Sequence, residues 1–275
     1  MEVVVKNVPL LKKKDWAGNR LGKYKGGEKI GESWEVSTHF SGVSEVIYNG
    51  KVVPLTEFVR KFEDVLGFSE FPIMVKLLDV GRLLSVQVHP SDEIAKKLGE
   101  KDRGKSEGWI ALSEGKVYLG MKDYSKDATI ENLVVFEAEV FDTFPIHPGT
   151  VHTAENIFLL EVSTPSDLTY RIYDPYGRET HLEKARYCVR EVKINKGKMK
   201  LEMEEFYAEV VEVNGEKNFQ DDRVNVIVAL NEVFIRSKNS LKLNEYESCT
   251  VLPNNEYAVE GEGFVVRIYP LEDNN

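Results

Sequence analysis

Cysteine is scarce in this chain: Cys188 and Cys249 are the only two in 275 residues. Two thiols so far apart in sequence make neither a disulfide framework nor a thiolate metal site, so both are expected to be reduced and structural. Apolar runs long enough to span a bilayer are missing, and the N-terminus lacks the long apolar core of a secretory leader. The expectation is a cytoplasmic protein with no membrane partner. Positive charge is in deficit, with 36 Lys and Arg against 46 Asp and Glu and a net charge of −10. No surplus of cations is left to neutralise phosphates, which speaks against a nucleic-acid partner. The one basic run, Lys12-Lys13-Lys14, reads as a solvated surface turn. Histidine is sparse too: there are five, and none follows His181.

What is present is ordinary for a soluble protein, 42% apolar and 30% charged, in a length that buries a full core. Short Val-, Ile- and Tyr-rich pieces dominate. Glu45–Tyr48 and Lys51–Val53 flank Asn49-Gly50, the signature of a hairpin with a type I′ turn. Further strands are expected over Ile73–Leu78, Leu83–His89, Trp109–Leu112, Lys116–Leu119, Thr150–His152, Phe158–Val162 and Leu168–Tyr173. Such pieces fit an all-β sandwich or barrel with a few helices rather than βαβ units. One helix is expected from Thr56, capped by its hydroxyl and stopped by Gly67, with Phe58, Val59, Phe62 and Leu66 at helical spacing. Another starts at Ser91, with Asp92 and Glu93 in its first turn and Gly99 at its end. A short third is expected around Leu182–Tyr187.

The character changes after about residue 190. Asn195–Met203 is lysine-rich and poor in core residues, as an exposed connection would be. Beyond it come Phe206–Val213, Val224–Ala229, Glu232–Ile235, Cys249–Leu252 and Phe264–Tyr269, with Asn214-Gly215 and Gly261-Glu262-Gly263 read as turns. Two domains follow: residues 1–190 carrying the chemistry, and a smaller β unit over 191–275.

Four donors stand out. Gln87 and His89 in Gln87-Val88-His89-Pro90 are two apart, so on a strand they share a face. Glu107 stands at the mouth of the next strand, and His152 follows a Pro-Gly turn. An amide oxygen, a carboxylate and two imidazole nitrogens suit a borderline-soft divalent cation such as zinc. Alone, each is more often structural, and the strength lies in the set. Lys105 and Arg171 are two cations placed to reach the same cavity, where paired cations bind phosphate. Asp167 is four residues before Arg171, so on a continuous strand both share a face, and its carboxylate either transfers protons or orients Arg171. His39, His147 and His181 have no comparable setting and read as structural.

From Trp16 to about Lys184 the chain resembles the type I mannose-6-phosphate isomerases, zinc-dependent cupins. The residues that carry the resemblance are Gly31-Glu32-Ser33-Trp34, then Leu84-Ser85-Val86-Gln87-Val88-His89-Pro90, then Gly104-Lys105-Ser106-Glu107-Gly108-Trp109. Gly149-Thr150-Val151-His152, Ser166–Asp174 and His181-Leu182-Glu183-Lys184-Ala185 follow in the family's order. The resemblance implies a cupin jelly-roll barrel holding one zinc per chain through Gln87, His89, Glu107 and His152. It also implies Arg171 as an essential active-site cation, Lys105 as a pocket residue, and a hexose 6-phosphate as substrate. Two segments depart from the family: His147-Pro148-Gly149 stands for Pro-Ala-Gly, and Glu161-Val162-Ser163-Thr164 for Glu-x-Gln-Gln.

Aldose–ketose isomerisation moves a proton between C1 and C2 and so needs a base. Lys105, with its pKa depressed by neighbouring cations, and Asp167 are the two candidates, and the sequence does not choose between them. The alternatives are an iron-dependent cupin oxygenase, an isomerase of another sugar phosphate, and a catalytically silent sugar-binding cupin. The sequence sets no oligomeric state.

Overall fold

A computed structural model of the chain describes residues 2–271. Its contacts divide into two units, one made of Leu11–Ser33 and Lys76–Met203, the other of Met1–Leu10, Trp34–Val75 and Glu204–Asn275. A single boundary near residue 190 therefore does not describe the chain. The reason lies in strand pairing: the N-terminal strand Val4–Val8 pairs antiparallel with Ser248–Val251, Val4 opposite Val251. Pairing across that separation leaves no trace in local sequence.

The unit that contains residues 76–203 is built from antiparallel strands in two facing sheets. One sheet has the strand order Leu133–Ala138, Gly115–Met121, His152–Glu155, Val86–Val88, Tyr170–Tyr173. The other includes Asp142–Ile146, Glu107–Ala111, Ile157–Ser163 and Met74–Val80, in that order. Leu78, Trp109, Phe144 and Leu159 from the second meet Val117, Leu119 and Ala154 from the first in one apolar cluster. The all-β expectation holds. Strands Met74–Val80, Glu107–Ala111 and Ile157–Ser163 are buried at every position, so Lys76, Glu107 and Glu161 lie inside rather than on a solvated face. Buried charges of this kind must be paired.

The helix at Ser91 forms as expected over Asp92–Lys97, its Ser91 Oγ accepting from the Ile94 N–H at 3.3 Å. The helix Leu182–Cys188 is also present. A helix over Arg20–Lys25 was not expected, because its glycine and lysines show no periodicity. Its first N–H groups, at Arg20 and Leu21, donate to the Asp79 carboxylate. The cap comes from a residue far along the chain.

In the other unit, strands run in the order Phe206–Asp221, Asn255–Pro270, Asn225–Ala229, Ser248–Val251, Val4–Val8, Glu45–Tyr48, Lys51–Pro54. The hairpin turn is confirmed, with φ of 50° at Asn49 and 72° at Gly50. Helix Leu55–Lys61 starts one residue before Thr56 and has no side-chain cap, so Thr56 lies within the first turn and does not cap it. Gly67 does stop the following turn Glu63–Leu66, at φ 79°. Asn214-Gly215 and Gly261-Glu262-Gly263 are not turns. They face each other in two continuous strands, Val213 opposite Gly263 and Gly215 opposite Gly261, and their positive φ values bend the ribbon without ending it. Gly263 has φ 116°, and a Cβ there would collide with the Asn231 side chain. Gly263→Ala is expected to lower unfolding free energy by about 1–3 kcal/mol, read from urea denaturation. An unchanged midpoint would show that the ribbon relaxes freely at this point. No helix among the described residues is long and apolar enough to cross a membrane.

Candidate metal centre and substrate cavity

One row across the first sheet sets the site. His152 lies opposite Gln87, and Gln87 lies opposite Arg171. Glu107 comes from the facing sheet, and His89 follows the end of strand Val86–Val88. Gly104 brings the two sides together. Its N–H donates to the Asp92 carboxylate at 2.7 Å, and a Cβ on it would strike the Ser91–Asp92 backbone. Close approach of that kind needs a residue without a side chain.

His89, Glu107 and His152 converge, with one donor atom from each within 4.8 Å of the others, and all are buried. Glu107 Oε1 lies 3.4 Å from His89 Nε2 and 3.1 Å from His152 Nε2. The Nδ1 of His89 is 2.8 Å from the Leu168 carbonyl and that of His152 is 2.9 Å from the Thr150 carbonyl. A carbonyl only accepts, so each Nδ1 carries the proton and each Nε2 keeps its lone pair facing Glu107. His89 Nε2 and Glu107 Oε1 are buried with no hydrogen-bond partner. Two lone-pair donors aimed at one point and left unpartnered fit a divalent cation held between them. Burial lowers the His89 pKa and keeps the ring neutral, as a metal ligand must be.

Gln87 behaves differently. Its Oε1 accepts from Ser85 Oγ at 3.0 Å, while its amide nitrogen stands 3.1 Å from His152 Nε2. An amide NH2 cannot ligate a metal, and here it donates to the single lone pair of His152 Nε2, so a metal at that nitrogen requires the amide to turn away.

Lys105 is buried between two carboxylates. Its Nζ donates to Glu107 Oε2 and, at 3.0 Å, to Glu161 Oε1. Lys76 Nζ lies 3.3 Å from the same Glu161 oxygen and 3.7 Å from Asp167. Burial works against the Lys105 charge, but Glu107 and Glu161 outweigh it and hold the ammonium above its ordinary value. The expectation of a depressed, basic Lys105 is thus overturned: its nearest neighbours are anions. Burial likewise opposes ionisation of Glu107, and Lys105 reverses this, keeping the carboxylate well below its usual range.

Asp167 does not share a strand with Arg171. The strand begins at Tyr170, and Asp167 sits in a turn where the Leu168 N–H donates to Ser166 Oγ at 3.2 Å. The turn still brings it to the cavity. Burial favours its neutral form, yet Lys76 and Lys105 overcome that and keep it ionised. Arg171 is half-buried with Nε lacking a hydrogen-bond partner, and burial followed by the charge of Arg178 lowers its pKa.

The cavity measures about 120 Å3, and Gln87, Lys105, Asp167 and Arg171 line it. Also lining it are Lys14, Glu32, Lys76, Glu161 and Arg178, with Trp16, Leu78, Leu84 and Trp109 as apolar wall. None of these nine is singled out by the sequence as a catalytic, substrate-binding or metal-binding residue. Lys76 and Glu161 left a signal, a lone charge inside an apolar strand run. Lys14 does not belong to a solvated turn: it pairs with Glu32 at 2.7 Å. Alternation along strand Leu10–Lys13 and just beyond it separates Lys12 and Lys14, both partly buried, from exposed Lys13.

The model of the type I phosphomannose isomerase catalytic domain matches residues 12–109. A mannose-6-phosphate isomerase of Streptococcus mutans is 36% identical over 184 residues, which is 59% of this chain and 58% of that protein. The chain thus matches less than two thirds of that relative's length. Among solved structures, a candidate mannosephosphate isomerase of Archaeoglobus fulgidus is 31% identical with a TM-score of 0.89, covering 98% of this chain and 99% of the other. The mannose 6-phosphate isomerase of Bacillus subtilis, at 23% identity and a TM-score of 0.84 over 97% of this chain and 99% of that one, shares the fold. The curled antiparallel sheets are those of a cupin. Fold and sequence agree, and the chain belongs to the type I phosphomannose isomerase family.

Proposed function

We propose that the chain is a metal-dependent aldose–ketose isomerase that interconverts mannose 6-phosphate and fructose 6-phosphate. The observation that carries this reading is the pair of buried, unpartnered atoms His89 Nε2 and Glu107 Oε1, converging with His152 Nε2 beside a cavity lined by Lys105 and Arg171. His89, His152 and Glu107 would hold one zinc, and Gln87 would become a fourth ligand only with its amide turned. Zinc there would supply Lewis acidity to the carbonyl and hydroxyl oxygens of the open-chain sugar.

The chain's own residues do the rest. Fixed positive charge from the cavity lysines stabilises the negative charge that an enediol develops. Lys105 stays a cation that holds Glu107 and adds positive charge to the cavity. With Lys105 protonated, Asp167 is the group left to accept the migrating proton. The substrate phosphate is assigned to Arg171 and the neighbouring cavity cations. A cytoplasmic address belongs to the same proposal.

The test is a substrate panel on protein of defined metal content. Zinc-loaded protein is expected to convert fructose 6-phosphate to mannose 6-phosphate by NMR, and chelation should abolish turnover until zinc is restored. Unchanged sugar with one zinc bound would refute the isomerase reading. Oxygen consumption with iron would replace it with an oxygenase.

A further inference from the structure

His181 reads as structural from the sequence, yet in the fold it touches the cavity's arginine. Tyr170–Tyr173 is the edge strand of its sheet. Arg171 lies opposite Gln87 on the inner side, and the register slips between Arg171 and Tyr173. On the outer side no further strand takes up the Arg171 peptide groups. His181 does so instead: its Nδ1 accepts from the Arg171 N–H at 3.1 Å, and its own N–H donates to the Arg171 carbonyl at 2.7 Å. The ring and backbone of a single residue thus replace one rung of a missing strand. An irregular edge strand re-aims its side chains readily, so whatever holds the Arg171 peptide also holds the direction of its guanidinium.

We propose that His181 is a positioning residue for Arg171, and that it works only as a neutral ring accepting through Nδ1. Protonation turns Nδ1 into a donor facing the Arg171 N–H, and the rung is lost. The groups facing His181 are Arg171 and Tyr170 on the strand, Glu179 before the ring, Lys184 on the helix that follows, and Glu100. Burial first, and then the Arg171 charge, lower its pKa from the usual 6.5. The neutral ring therefore prevails at neutral pH, and the rung fails only in acid, below the ordinary histidine value.

The proposal rests on the reading of Arg171 as the cation that engages a sugar phosphate. His181→Leu removes the acceptor, while the Oδ1 of His181→Asn replaces it without a titrating ring. On fructose 6-phosphate, the Leu variant is expected to lose about tenfold to a hundredfold in kcat/KM, with zinc content and Tm close to wild type. The Asn variant should recover most of this and should lack the acid limb that His181 gives the wild type. Equal impairment of Leu and Asn, or full activity in Leu, would overturn the proposal. The affinity for inorganic phosphate is measured in parallel on all three proteins. If the wild type isomerises nothing, the isomerase reading falls. The phosphate titration then decides alone: weaker binding in Leu than in Asn supports the role of His181, and equal or absent binding ends it.

Discussion

Replacing His152 by alanine is expected to empty the metal centre and to lower isomerisation by on the order of a thousandfold or more. Three atoms converge there, and the geometry leaves no spare donor, because Gln87 presents its amide nitrogen to His152. With His152 gone, one imidazole and one carboxylate remain, and that carboxylate is already shared with Lys105. Zinc per chain, measured by mass spectrometry of the dialysed protein, should fall from about one to near zero. Gln87→Leu is the contrast. In this geometry it removes an amide donor that occupies the His152 Nε2 lone pair, so zinc should stay near one per chain with affinity unchanged or tighter. If His152→Ala keeps its zinc, the centre lies elsewhere. If Gln87→Leu loses as much zinc as His152→Ala, Gln87 is a ligand and its amide turns when metal binds. His152 also packs edge-on to Trp109 at 5.4 Å, so the unfolding midpoint of the alanine variant must be measured to separate lost metal from lost fold.

The second large effect is on stability. Lys105→Met should destabilise the metal-free protein by about 3–5 kcal/mol at neutral pH, because it leaves Glu107 buried without a cation and Glu161 with Lys76 alone. Met fills nearly the same volume, so the loss is electrostatic rather than one of packing. The pH dependence gives the sign. In the wild type Glu107 is held below its usual 4.5, so its contribution is present above that value and is lost as pH falls through the depressed one. In the variant the two carboxylates repel, and protonating one of them relieves the strain. The difference between variant and wild type should therefore shrink in acid. Adding Glu161→Gln to Lys105→Met should restore part of the loss at neutral pH. Equal urea midpoints for wild type and Lys105→Met at neutral pH would mean that water reaches the triad and screens it.

Much of the site is legible in the sequence because its donors lie on short, regular elements. Strand alternation and the family motifs pick out His89, Glu107 and His152, and these converge. Ser91 caps its helix as its hydroxyl predicts. Local rules fail where a distant residue sets the outcome. Strand alternation puts Asp167 on the face of Arg171, but the turn made by Ser166 breaks the alternation before Tyr170. Asn214-Gly215 and Gly261-Glu262-Gly263 have turn chemistry, yet each faces the other across a ladder, and their freedom goes into a bend. Lys105 is held protonated first by Glu107, two positions on, and then by Glu161, 56 positions away. No spacing rule connects Lys105 to the second.

The sequence by itself determined the all-β class, the family and four donors of metal-ligand type, of which His89, Glu107 and His152 converge, because periodicity and ordered motifs act over a few residues at a time. Only the tertiary structure decided that Lys105 is a clamped cation, that Gln87 turns its nitrogen to His152, and that His181 holds the Arg171 peptide. It also decided how the chain divides, since the N-terminal strand belongs with the C-terminal ones. The physical reason is common to all of these. A side chain's charge state and orientation depend on which partners share its buried space, and those partners arrive from strands far apart in the chain.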